Sequence, residues 1–132
     1  MIAAGIGCRR GTSAPDIEAA IRTALARANI TPAALDVIAT IEAKSAEAGI
    51  QTAAGKLGVA VVIVPDSDLT LAGDRIETRS ERVLALTGVG SVAEAAALAA
   101  AGPSAKLISP RLVMGSATCA LAASAPTSGA AS

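Results

Sequence analysis

Ile2-Ala3-Ala4-Gly5-Ile6-Gly7-Cys8-Arg9-Arg10-Gly11-Thr12-Ser13-Ala14-Pro15-Asp16-Ile17 passes from a small apolar run, through a loop carrying glycine and arginine, into a helix start. The apolar run predicts a buried strand over residues 2–8. Thr12 and Ser13 offer N-cap hydroxyls, Pro15 falls in the first turn, and Asp16 and Glu18 sit beside the positive end of the helix dipole. From Ile17 the apolar positions Ala20, Ile21, Ala24, Leu25 and Ala28 recur at helical spacing, with Glu18, Arg22 and Arg27 elsewhere on the wheel. Asn29 is the expected stop. A strand therefore feeds a helix through a short loop, and the rest of the chain repeats that unit.

Thr31 and Pro32 start one more turn, and residues 37–41 read as a second strand. Residues 47–57 repeat the helical pattern through Ile50, Ala53, Ala54 and Leu57, with Gly58 as the stop and a third strand over 60–64. Strands separated by helices of this length are expected to lie parallel, with right-handed crossovers. Residues 65–71 read as a turn region and 74–82 as a solvated stretch of alternating charge. A short helix is expected from Ser80 to near Gly88. Another over 92–101 is capped by Ser91, with Glu94 at capping-box spacing, and closed by Gly102 and Pro103. It is apolar almost all round, which predicts burial. Residues 106–109 and 117–123 read as two further strands joined by a loop containing Pro110 and Gly115, and residues 124–132 as a flexible tail. The expectation is an α/β domain over residues 1–123, a three-layer αβα arrangement with a mostly parallel sheet of about five strands, the last one antiparallel.

Composition narrows the function classes. The 132 residues carry 11 basic and 11 acidic side chains and no Phe, Tyr, Trp or His. Zero net charge leaves no electrostatic footprint for phosphate backbones, and nothing can stack on bases, which argues against nucleic acid. No imidazole is available as a metal ligand or as a group titrating near neutrality, so any acid or base is a carboxylate, a Lys or a Cys. About a quarter of the chain is Ala, so the core must be built from Ile, Val and Leu. Two cysteines, Cys8 and Cys119, fit a reducing compartment. No apolar run approaches the ~20 residues that span a bilayer. A cytoplasmic protein without metal or cofactor is expected.

The loop Gly5 to Thr12 is the sharpest chemical feature. Glycines permit close backbone approach, the helix start presents N–H groups, and Arg9 and Arg10 add fixed cations. Together these suit a carboxylate or phosphate at the C-terminal end of the first strand, where open α/β sheets bind ligands. The spacing is one residue longer than the dinucleotide fingerprint, and no acid follows at the expected distance. Cys8 lies where the dipole and two guanidinium groups favour a thiolate. Residues 40–49 should reach the same edge of the sheet, bringing Lys44 and Glu47 toward the loop. Arg111, after the fourth strand, is expected to close that edge.

The chain resembles the CobE and CbiG C-terminal domain family of cobalamin biosynthesis. The likeness rests on Gly5-Ile6-Gly7-Cys8-Arg9-Arg10-Gly11, Thr40-Ile41-Glu42-Ala43-Lys44 with Glu47 and Gly49, the stretch from Gly88-Val89-Gly90-Ser91 to Leu98, and Ala117-Thr118-Cys119-Ala120-Leu121-Ala122. It departs from the family pattern at Arg111, where Lys is usual, and at Glu42, where Asp is common; both keep their charge. The resemblance implies work on a corrin macrocycle decorated with acetate and propionate carboxylates. It gives a candidate ligand-binding set of Gly7, Cys8, Arg9, Arg10, Gly11, Thr12, Lys44, Glu47, Ser91, Glu94 and Arg111. The expected function is binding of a corrinoid or precorrin intermediate as an accessory or carrier protein, with other cobalamin-pathway enzymes as partners and no membrane.

CbiG proteins open a lactone on a cobalt-precorrin and carry additional N-terminal regions. A lactone-opening hydrolase with Cys8 and Glu47 as catalytic groups is therefore the competing expectation. A nucleotide- or anion-binding interaction module is the third. Without aromatics or His, a flat macrocycle must be held by its carboxylate rim, with only aliphatic contact to its face.

Overall fold

A computed structural model describes residues 1–42, 47–72 and 92–124. The strands are β1 (Ile2–Cys8), β2 (Val37–Ile41), β3 (Ala60–Val64), β4 (Lys106–Met114) and β5 (Ala117–Ala123). The helices are α1 (Ala14–Arg27), α2 (Ala48–Leu57), α3 (Asp66–Ala72) and α4 (Val92–Ala101), with a 3-10 turn at Pro32–Ala34. The sheet runs in the order β3-β2-β1-β5-β4. β1, β2 and β3 are parallel, in registers such as Ala4 opposite Ile38 and Ile38 opposite Val61. β5 runs antiparallel to both neighbours, so β4 regains the direction of β1. The expected mostly parallel sheet with an antiparallel last strand is what forms.

Alternation along the strands sends side chains to two different cores. Ala4, Ile6, Ile38, Cys119 and Leu121 meet Ile17, Ile21 and Leu25 of α1 and Ile50 of α2 on one face. Ala3, Ala39, Val64 and Ala122 meet Leu69 of α3 and Ala95 to Leu98 of α4 on the other. The two cores make the three layers. On the second face small residues do the packing: a Cβ on Gly5 would overlap the Ala93 carbonyl, so the backbone of α4 rests directly on β1.

Local signals hold at most element ends. Ser13 Oγ accepts from Asp16 N at 3.3 Å to cap α1, and the chain leaves that helix through Asn29 in the left-handed region, φ 58°. Gly58 ends α2 at φ 72°. Two expectations are corrected. Residues 65–71 are not a turn: Pro65 accepts from Leu69 N at 3.0 Å, and Asp66 and Asp68 occupy the first turn of α3. The loop expected after residue 109 is strand, because β4 runs on through Pro110 to Met114, with register shifts between Leu107 and Ser109 and between Ser109 and Leu112. A bulged edge strand tolerates a proline that a central strand would not.

The expected features at Lys44, along 74–82, in the helix from Ser80 to Gly88, at the Ser91 cap and in the tail beyond 124 lie outside the described residues.

Candidate functional site

The loop between β1 and α1 is fastened from three sides. Arg9 N donates to Ser116 O at 3.1 Å, and Thr12 Oγ1 lies 2.8 Å from Ser116 Oγ, so the β4–β5 turn is tied to the loop. Thr118 Oγ1 donates to Gly7 O at 3.1 Å. From the α2 side, Glu47 Oε1 accepts from Gly11 N at 2.9 Å, and a Cβ on Gly49 would collide with the Thr12 carbonyl. Inside the loop Thr12 donates to Arg9 O through both its N, at 3.1 Å, and its hydroxyl, at 2.7 Å. Gly11, at φ 77°, makes the turn.

These bonds change the expected division of labour. The backbone N–H groups of Arg9, Gly11 and Thr12 were to receive an anion, yet Ser116, Glu47 and Arg9 itself already occupy them. Backbone donors are strong hydrogen-bonding groups, and here the chain supplies their partners itself. Cationic side chains remain. Arg9 and Arg10 are exposed, and neither forms an ion pair among the described residues, where Arg22 Nε and Glu18 Oε2 pair at 2.7 Å on the surface of α1. Glu47 stands at the N-cap position of α2, outside the first turn where it was expected, and its carboxylate holds the loop.

Gly7, Cys8, Arg9, Arg10, Gly11, Thr12 and Glu47 are thus brought together. Cys8 is the last residue of β1, opposite Ala117 and half-buried, and neither it nor Cys119 is in a disulfide. Burial of Cys119 pushes its pKa up to about 12, so it is a core residue with no thiolate at neutral pH. Among the described residues no three His, Cys, Asp or Glu side chains gather as metal ligands.

Glu94 and Arg111 belong elsewhere. Glu94 is fully buried, and its Oε2 accepts from Arg111 N at 2.8 Å, so the carboxylate secures the irregular part of β4. Arg111 was expected beyond the fourth strand, closing the loop's edge. It lies within β4 instead, three residues back from Met114, the residue opposite Ala117, and lines a cleft with Arg27 at the far end of α1.

Sequence reading missed Ser116 and Thr118, whose pairing with the loop spans more than 100 residues of chain and leaves no local signal. It also missed Val113, 59% exposed, and Met114, 37% exposed, at the end of β4 beside that turn.

The family model described as "Cobalamin synthesis G C-terminus" matches residues 2–122. The protein CobE of Sinorhizobium sp. is 38% identical over 118 residues, which span 89% of this chain and 77% of that protein. The crystal structure of a CobE from the cobalamin (vitamin B12) biosynthetic pathway superposes with a TM-score of 0.85 at 36% identity, covering 92% of this chain and 89% of that one. A cobalt-precorrin-5A hydrolase of Priestia megaterium is 34% identical over 102 residues, 77% of this chain but 27% of the hydrolase, so the chain spans about a quarter of that relative.

Proposed function

The chain belongs to the cobalamin synthesis G C-terminus family, and from that premise we propose that it binds a carboxylate-rich corrinoid or precorrin intermediate as a cytoplasmic accessory or carrier protein, handing it to other enzymes of the pathway. The observation that carries this reading is the pair of adjacent, exposed guanidinium groups, Arg9 and Arg10, on a loop anchored by Ser116, Thr118 and Glu47. A loop fixed at both ends presents its cations with little ordering cost on binding. Planar guanidinium forks match carboxylates in bidentate geometry.

Met114, exposed and on the same face of the sheet as Cys8, supplies aliphatic contact for a ring face in a chain without aromatics. Titration of the protein with corrin intermediates, followed by the ligand's visible absorption, is expected to saturate. Replacing Arg9 and Arg10 together by Ala is expected to weaken binding by about tenfold or more, the loss of at least one charge-assisted contact worth roughly 1.5–3 kcal/mol. An intermediate series with no saturable binding refutes the proposal.

Likeness to the cobalt-precorrin-5A hydrolase favours a second reading, lactone opening with Cys8 or Glu47 as nucleophile or base. Engagement of the Glu47 carboxylate by Gly11 N weighs toward the accessory role. Turnover of a lactone-bearing intermediate by this chain, lost in Cys8→Ala or Glu47→Gln, would reverse that order.

A further inference from the structure

A second feature lies at the other end of α1, roughly 20 Å from the loop at ~1.5 Å per helical residue. There a cleft of about 250 Å³ opens between the last turn of α1 and β4, lined by Arg27, Ala28, Ile108, Pro110, Arg111 and Leu112. Its lining combines the aliphatic groups of Ala28, Ile108, Pro110 and Leu112 with the polar Ser109 and two arginines, neither of which has an acidic partner among the described residues.

The strand is built to keep Arg111 there. β4 shifts register on both sides of Ser109, and the fully buried Glu94 carboxylate is committed to Arg111 N at 2.8 Å. Bulges of this kind re-aim side chains. A carboxylate without solvent is costly unless hydrogen-bonded, so its placement makes the bulge a defined feature of the fold.

We propose that this cleft is a binding site for a small anion with an aliphatic body, of the short-chain carboxylate type. The volume lies below the ~300–1,000 Å³ of sites for drug-sized ligands and is too small to enclose a macrocycle. The C-terminal end of α1 contributes about −0.5 charge, which two guanidinium groups at +2 outweigh. The carbonyls of that end are also turned inward to Ala28, Asn29 and Ile30 N–H groups, the last at 2.9 Å.

The test titrates the full chain with hexanoate, and in parallel with 1-hexanol and with acetate, following backbone amides by NMR. Hexanoate is expected to move the Ala28, Ile108, Arg111 and Leu112 amides saturably, with 1-hexanol and acetate each at least about tenfold weaker. Arg27→Gln and Arg111→Gln are each expected to weaken hexanoate by a similar factor, with partial recovery in Arg111→Lys and unchanged spectra away from the cleft. Three results overturn the proposal: no shift at the cleft amides, equal binding of 1-hexanol or acetate, or shifts confined to residues 9–12.

Discussion

At Gly5 the lack of a side chain lets α4 settle on the sheet, since a Cβ there would overlap the Ala93 carbonyl and lie 2.7 Å from Ala97 N. Both obstacles are backbone atoms of a buried helix and cannot rotate away. Gly5→Ala is therefore expected to cost about 3 kcal/mol, the upper end for overpacking, read as a lower urea midpoint; a variant within 0.5 kcal/mol of wild type would contradict the packing. Cys119 gives a prediction in pH. Its pKa rises from 9.0 to about 12 because burial disfavours the thiolate. Across that window the unfolded chain has lost the proton and the native chain keeps it, so stability falls as pH rises, by about 1.4 kcal/mol per unit from this group. Below pH 9 the group contributes nothing to the slope. Denaturation of wild type and Cys119→Ala from pH 8 to 10.5 should show the difference, and parallel curves would refute it.

Among the elements, β4 owes its course to a residue that is not in it. Glu94, in the first turn of α4, holds Arg111 N. Glu94→Ala leaves the part-buried Arg111 N–H without this acceptor and opens a cavity at a fully buried position, with an expected loss of about 2–4 kcal/mol, while Glu94→Gln keeps an acceptor and loses less. Hydrogen exchange at Arg111 should quicken in the Ala variant, and unchanged protection there would rule out the anchoring role. The same helix shows where reading the sequence succeeds and where it stops. β1, β2 and β3 were readable to the residue because short apolar runs are bounded by caps and by stops such as Asn29 and Gly58. At the site, Arg9, Arg10 and Glu47 were readable because loop and helix start are local features. The partners Ser116 and Thr118, the passage of β4 through Pro110 and the bond from Glu94 to Arg111 were not, because each depends on register between segments remote in sequence.

For the whole molecule, the topology puts β5, the antiparallel strand among the described residues, beside β1, so the β4–β5 turn arrives at the β1–α1 loop at the C-terminal end of β1. That edge gathers two exposed arginines, a half-buried thiol and two exposed aliphatic side chains. With no aromatic or His anywhere in the chain, affinity for a macrocycle must come mainly from charge. Whether Arg9 and Arg10 hold a corrinoid by its carboxylates is decided by titrating wild type and the Arg9→Ala/Arg10→Ala double variant with a precorrin intermediate at low and high salt. Saturable binding by the wild type that weakens with salt is expected, with a loss of about tenfold or more in the double variant. Equal affinities of the two proteins at low salt would contradict it.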